Sequence, residues 1–254
     1  MGEPVELRSG ELTLAGHLAL PPLTSAPGGG RYGLVLTHGF PTDPQGATVA
    51  GGTNPQLADR LAAERGWVVL TFNFRGTGAS EGDFSIGGWL ADLQAAIEHL
   101  LAVESVEAAW LAGFSVGGSL CICAAAEDER VRGVATFGAR ADFGEWAADP
   151  RRTLNQARTV GVIRSPGFPP DAMAWTRELR EIRPLSVVAK IPPRPLLLVH
   201  GGEDAEVPLV DARALADAAG PTAELRILPA ANHRLRHDPR ALAMLIGWLD
   251  RQPA

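Results

Sequence analysis

Cysteine is almost absent from this chain of 254 residues, which holds only Cys121 and Cys123. The two stand in one apolar stretch with a single residue between them, so they make neither a CxxC pair nor a disulfide framework. They read as core, and the expected compartment is a reducing cytoplasm. Positive charge is also in deficit: 23 Lys and Arg against 29 Asp and Glu leave a net charge of −6. No global field therefore draws the chain to nucleic acid or to an anionic membrane. Its denser basic stretches, RELREIR at 177–183 and HRLRHDPR at 233–240, are interrupted by acidic or apolar residues, and the first reads as a solvated face. No apolar run approaches the roughly 20 residues that span a bilayer. The opening MGEPVELRSG has no basic region followed by an apolar run, and Glu6 stands where a myristoylation motif needs Ser or Thr. Neither a secretory leader nor a lipid anchor is expected. Internal repeats and low-complexity tracts are missing as well.

What is present suits a folded globular protein: 46% of residues are hydrophobic and 20% charged, far from the signature of disorder. The length fits a single α/β domain. VELRSGELTLAGHLALPP gives two alternating apolar runs around Ser9 and Gly10, an antiparallel hairpin. After a TSAPGGG link come YGLVLTH (32–38) and WVVLTFNF (67–74), near-continuous apolar runs of the kind found in strands covered on both faces. Between them Asn54 and Pro55 can cap and open a helix that Gly66 closes. Helices over 87–103, 116–126, 209–219 and 239–251 then alternate with strands over 108–114, 131–138, 195–201 and 223–230. The reading is a mainly parallel twisted sheet of about eight strands, mixed by the N-terminal hairpin, with helices on both faces. From about 139 to 193 no strand is legible, while Phe143, Trp146, Phe168, Trp175 and several prolines occur. A structureless loop of that length is improbable, so a small, largely helical cap is expected there.

GFSVGG at 113–118 places one serine among glycines where a strand ends and a helix begins. This is the pattern of a nucleophile elbow, in which the serine takes a strained backbone and its neighbours must lack side chains. A serine hydroxyl needs a base, and the base needs an orienting carboxylate. HGGEDAEVP offers Asp204 and PAANHRL offers His233, both in loops after strand ends, where open parallel sheets gather their sites. Glu203 and Glu206 flank Asp204 as alternative carboxylates. His237 is the rival base, although Asp238 and Pro239 beside it look like a helix entry.

With THGF at 37–40, NFRGTGAS at 73–80, GFSVGG, HGGEDAEVP and NH at 232–233, the chain from about Tyr32 onward resembles the α/β-hydrolase fold superfamily, in its serine esterase and dienelactone-hydrolase-like branch. The resemblance implies Ser115 as nucleophile, Asp204 as acid and His233 as base, with the backbone N–H groups of Phe40 and Val116 forming an oxyanion hole. It implies a cofactor-independent serine hydrolase, and the short cap, rich in aromatic, proline and apolar residues, points to small to medium carboxylic esters as substrates. A prolyl-type peptidase and a noncatalytic ligand-binding relative are the competing readings.

Other motifs have simpler explanations. His38 and His200, each before a glycine at a strand end, are expected to brace loops, and His17 and His99 to be ordinary hairpin and helix residues. His233 and His237 lack the glutamate and the helix of an HExxH site, so no metal is expected. In RGTGASEG the glycines run GxGxxxG, which departs from the dinucleotide fingerprint, and Arg75 is expected to anchor that loop by a salt bridge. The aromatic, proline and apolar content of the cap suggests a mostly apolar pocket, with Trp146, Phe168 and Trp175 as candidate contacts. The expected partners are a small-molecule ester and, at most, a second copy of the chain as a homodimer.

Overall fold

The computed structural model describes residues 2–22, 31–44, 46–104 and 106–252; the TSAPGGG link lies outside them. The hairpin pairs β1 (Glu3–Ser9) with β2 (Leu12–Ala19), turning at Gly10. It leads into β3 (Arg31–Thr37), α1 (Asn54–Arg65), β4 (Val68–Phe72), α2 (Ile86–Leu101), β5 (Val106–Phe114), α3 (Val116–Glu127) and β6 (Val131–Phe137). Four short helices follow, α4 (Gly144–Ala148), α5 (Pro150–Thr159), α6 (Ala172–Glu181) and α7 (Pro184–Val187). The chain then forms β7 (Leu196–Gly201), α8 (Leu209–Ala219), β8 (Glu224–Leu228) and α9 (Pro239–Leu249). The segment without legible strands is thus helical, and it joins β6 to β7.

All eight strands form one sheet in the order β1-β2-β4-β3-β5-β6-β7-β8, antiparallel from β1 to β4 and parallel from there on. Alternate side chains feed two cores. Val35, Leu70, Leu111 and Val134 face α2 and α3, whereas Leu34, Leu36, Val69 and Ala135 face α1 and α9. This period-2 division is what continuous apolar strands allow once both faces are covered. Helix α3 is enclosed along most of its length, with every residue from Val116 to Ala125 buried. Among the described residues no helix is long and apolar enough to cross a membrane.

Helix starts follow capping chemistry at four places. Ser85 accepts the Gly88 N–H, Asp149 that of Arg152, Asp171 those of Met173 and Ala174, and Asp238 that of Arg240 ahead of α9. Each such cap contributes about 1 kcal/mol. At α1 the expected cap is displaced. Thr53 is the flanking residue, while Asn54 is drawn inside the first turn and buried, so its amide does not turn back to the helix N–H groups. Gly66 closes the helix as expected, with φ +75°.

Arg75 anchors its loop as expected. Its Nη2 lies 2.7 Å from the fully buried Asp92, and the Trp89 indole N–H donates to its carbonyl at 3.0 Å. His38 also braces loops. Its Nδ1 meets the Gly39 carbonyl at 2.8 Å, which assigns the proton to Nδ1, and its Nε2 accepts the Phe74 N–H at 3.2 Å. His17 ties the hairpin to α1 through Asp59 at 2.8 Å.

Two measurements test this packing. Burial pushes the Cys121 and Cys123 thiols up to about 12, so iodoacetamide at pH 8 is expected to leave the native protein unmodified and to label both sites after denaturation. Stoichiometric labelling of native protein would show that α3 is not enclosed. His38 is held down at about 4, by burial first and also by the positive charge of Arg236, with the Gly39 hydrogen bond opposing. Between pH 6.5 and 4 the unfolded chain therefore binds a proton that the folded one refuses, and stability falls on acidification through that window. The single-site contribution is about 3 kcal/mol. Denaturant titrations should show a shallower pH slope over this window in His38→Asn than in the unsubstituted protein; equal slopes would contradict the neutral, enclosed imidazole.

Candidate active site

The parallel strands end in register, and their carboxyl ends present the candidate residues along one edge. Thr37 pairs with Gly113, and Phe114 with Phe137, so His38, Ser115 and Gly138 emerge side by side. Ser115 sits between β5 and α3 with φ +52° and ψ −125°, a conformation that costs a non-glycine residue about 1–3 kcal/mol. Its N–H donates to the Phe137 carbonyl at 2.7 Å, and its carbonyl accepts the Ser119 N–H at 3.1 Å. A Cβ on Gly113 would come within 2.6 Å of the Gly117 carbonyl carbon, and one on Gly117 would strike the His38 carbonyl. Those two absences of side chain let the turn press against the end of β3.

His233 bridges the other candidates. Its Nε2 lies 2.8 Å from Ser115 Oγ and its Nδ1 2.7 Å from Asp204 Oδ2. The other carboxylate oxygen, Asp204 Oδ1, accepts the N–H groups of Glu206 and Val207, each at 2.9 Å. The Asp204 side chain is fully enclosed. That burial opposes ionisation, but the hydrogen bonds from His233 and Val207 outweigh it and hold the carboxyl below its usual range. This arrangement fixes the proton on Nδ1 and leaves Nε2 free to accept from the serine. His200 braces the same loop, with Nε2 on the Val207 carbonyl at 2.9 Å.

The alternatives occupy other places. Glu206 Oε2 lies 3.9 Å from His233 Nε2, on the serine side of the ring, and does not orient Nδ1. His237 stands at the rim, and Asp238 beside it caps α9. One neighbour escaped the sequence reading. Gly138, with φ +69°, lies against the ring: a Cβ there would sit 3.2 Å from His233 Cε1 and 3.6 Å from Asp204 Oδ2. Its only sequence signal is its place at the end of β6.

Two connected hollows meet at Ser115. The first, of about 210 Å³, runs under the cap between Phe40, Val116 and Trp146. The second, of about 180 Å³, lies on the His233 side, between Phe40, Phe114 and the 46–51 segment. Phe40 and Val116 thus border the serine, and a side chain on Gly39 would meet Ser115 Cβ at 2.8 Å.

The expected pocket contacts need correction. Trp146 lines the first hollow, but Phe168 and Trp175 do not. Trp175 is buried, gives its indole N–H to the Phe84 carbonyl at 3.1 Å and packs edge-on against Phe84, while Phe168 packs on the core. Both rings join the main core on the α2 and α3 face of the sheet. The hollow receives the polar sides of α4 and α5, including Glu145, Asp149, Arg152 and Gln156, and is not mostly apolar. Arg140 joins these parts: it stacks 5.4 Å from the Trp146 ring, pairs with Glu145 at 3.3 Å, and donates to the Glu206 carbonyl at 3.0 Å.

No curated protein matches this chain. Solved structures match it over nearly its whole length at low identity. GrgF, an alpha/beta hydrolase from Penicillium sp. sh18, is 21% identical with a TM-score of 0.71, covering 99% of this chain and 98% of that one. The esterase Pf2001 of Pyrococcus furiosus is 18% identical with a TM-score of 0.68, covering 99% and 92%. Dipeptidyl peptidase 4 of Porphyromonas gingivalis is also 18% identical at 0.68, but 99% of this chain matches only 35% of that one. These likenesses concern the fold. The model of the alpha/beta hydrolase family matches residues 34–245, and with the sheet order and the strand-turn-helix around Ser115 it shows that the chain belongs to that family.

Proposed function

We propose that this α/β hydrolase cleaves small carboxylic esters through an acyl-enzyme, with Ser115 as nucleophile, His233 as general base and acid, and Asp204 as its orienting carboxylate. The observation that carries this reading is the continuous pair of short hydrogen bonds from Ser115 Oγ through His233 to the enclosed Asp204. Ser115 Oγ attacks the carbonyl carbon and passes its proton to His233 Nε2, while the carbonyl π electrons move onto oxygen. The imidazolium, held through Nδ1–H by Asp204, then protonates the departing alkoxide as the C–O bond breaks. Water attacks the acyl-serine, gives its proton to the same nitrogen, and the Ser115 oxygen leaves with that proton.

The oxyanion is assigned to the backbone N–H groups of Phe40 and Val116, which line the hollow together with the serine. Each such donor is worth about 3 kcal/mol in a preorganised site, and Val116 opens α3, whose N-terminal dipole favours the same charge. None of these steps needs a cofactor. The hollow under Trp146 holds about 210 Å³ and is bordered by charged side chains, which favours short acyl groups over long lipid chains.

A fluorophosphonate probe should label the folded protein and fail to label Ser115→Ala. p-Nitrophenyl acetate and butyrate should be hydrolysed faster than the octanoate. Asp204→Asn should lower kcat by about 10³- to 10⁴-fold, because the wrong imidazole tautomer then faces the serine. Absence of labelling in the folded protein would remove the serine hydrolase reading, and preferential cleavage of prolyl or aminoacyl amides would replace the ester by a peptide.

A further inference from the structure

The hollow on the His233 side contains a cation that the described residues leave unneutralised. Arg236 lies in the 3₁₀ turn Leu235–His237, three residues after His233, and lines this hollow together with Ser115 and Phe114. It is half-buried, and burial pushes its pKa down. Among the described residues no carboxylate oxygen lies within 4.0 Å of it, and its one recorded polar contact is His237 Nε2 at 3.4 Å. Arg194, whose pKa burial also lowers, makes a telling contrast. Its guanidinium donates to the carbonyls of Ile191, Asp128, Val131 and Lys190 at 2.9–3.1 Å. Neighbouring Arg234 reaches Asp43 at 3.7 Å at the rim. A half-buried charge that faces the cleft and has no carboxylate partner in the fold attracts an anion there.

The surroundings fix what that anion can be and where it belongs. Burial first, and the positive charge of Arg236 as well, push the pKa of both His38 and His237 down, which disfavours a competing cation there. Glu206 borders the same hollow but sits against His233 Nε2 at 3.9 Å. It repels an anion from the reacting end and leaves Arg236 as its place. In the reaction proposed above, on which this step rests, His233 protonates the departing oxygen, so the alcohol portion occupies the His233 side and the acyl group the hollow under Trp146. We propose that Arg236 binds a carboxylate carried by the leaving alcohol, making the substrates short acyl esters of small hydroxy acids.

The test compares O-butyrylglycolate with O-butyrylglycolamide, a neutral ester of the same shape, in the unsubstituted protein, Arg236→Gln and Arg236→Lys. The quantity read is the kcat/KM ratio of acid to amide, and comparing it between proteins cancels intrinsic reactivity. The ratio should fall by about 10- to 100-fold in Arg236→Gln, the range of a charge-assisted hydrogen bond. The loss should lie mainly in KM, with part of the preference kept in Arg236→Lys. A ratio equal within twofold in the unsubstituted protein and Arg236→Gln overturns the proposal. Should Arg236→Gln fail to fold, inhibition of p-nitrophenyl butyrate hydrolysis in the unsubstituted protein decides. Glycolate should inhibit at concentrations at least about tenfold lower than glycolamide, and equal inhibition overturns the carboxylate site. If the folded protein turns over no ester, the hydrolase reading has failed by itself. Calorimetric titration of glycolate against glycolamide then reads the Arg236 site directly, preference for glycolate supporting it and equal or absent binding overturning it.

Discussion

The close approach of the β5–α3 turn to the end of β3 is the constraint on which the rest of the site depends. Ser115 can hold a positive φ only because the surrounding backbone leaves it no alternative. Its N–H is fixed by the Phe137 carbonyl, its carbonyl by α3, and Gly113 and Gly117 allow contacts that side chains would forbid. The strain of about 1–3 kcal/mol is offset by the enclosed α3 and the two cores on either side of the sheet. The outcome is a hydroxyl lifted above the carboxyl edge of the sheet, where the loops after β3, β6, β7 and β8 converge.

The second constraint is electrostatic and follows from the first. Asp204 is enclosed, and an enclosed carboxylate is tolerable only when its oxygens are satisfied. Here Oδ1 takes two backbone N–H groups and Oδ2 takes His233, so the loop after β7 and the loop after β8 are held by one side chain. Gly138 beneath the ring and His200 behind the loop complete the support. The same bonds that make the carboxylate affordable also fix the imidazole tautomer, so stability and preorganisation are served by one set of contacts.

The parts legible in the sequence were those encoded locally. A serine between glycines at a strand-to-helix turn, a carboxylate and a histidine after later strands, and apolar runs with period 2 need no knowledge of distant contacts. The mainly parallel sheet and the helical stretch between β6 and β7 followed from the same alternation, whereas the order of the strands did not. What the sequence concealed depends on which way a helix face turns. Trp175 and Phe168 look like pocket residues by composition, yet their rings pack on the main core, and α4 and α5 turn Glu145, Asp149, Arg152 and Gln156 toward the hollow. Asn54 has the composition of a cap, but burial in the first turn of α1 takes its side chain away from that task. Arg140 has no motif at all; its role in joining Trp146, Glu145 and the Glu206 carbonyl exists only in three dimensions.

The three candidate catalytic residues and the charged linings of the two hollows therefore sit on different supports. The serine, histidine and aspartate hang from strand ends whose register is locked by both cores, where a shift of one residue would invert every side chain. The charged residues that border the two hollows come from short helices and loops: α4 and α5 on one side, the 3₁₀ turn after His233 on the other. The charge pattern is correspondingly asymmetric. Arg140 is neutralised by contacts within the fold, whereas Arg236 is left without a carboxylate partner beside the proposed leaving-group site. A fold that satisfies the half-buried guanidinium of Arg194 with four carbonyls has the means to satisfy that of Arg236. Leaving it unsatisfied in the cleft locates the charge that a bound molecule must supply.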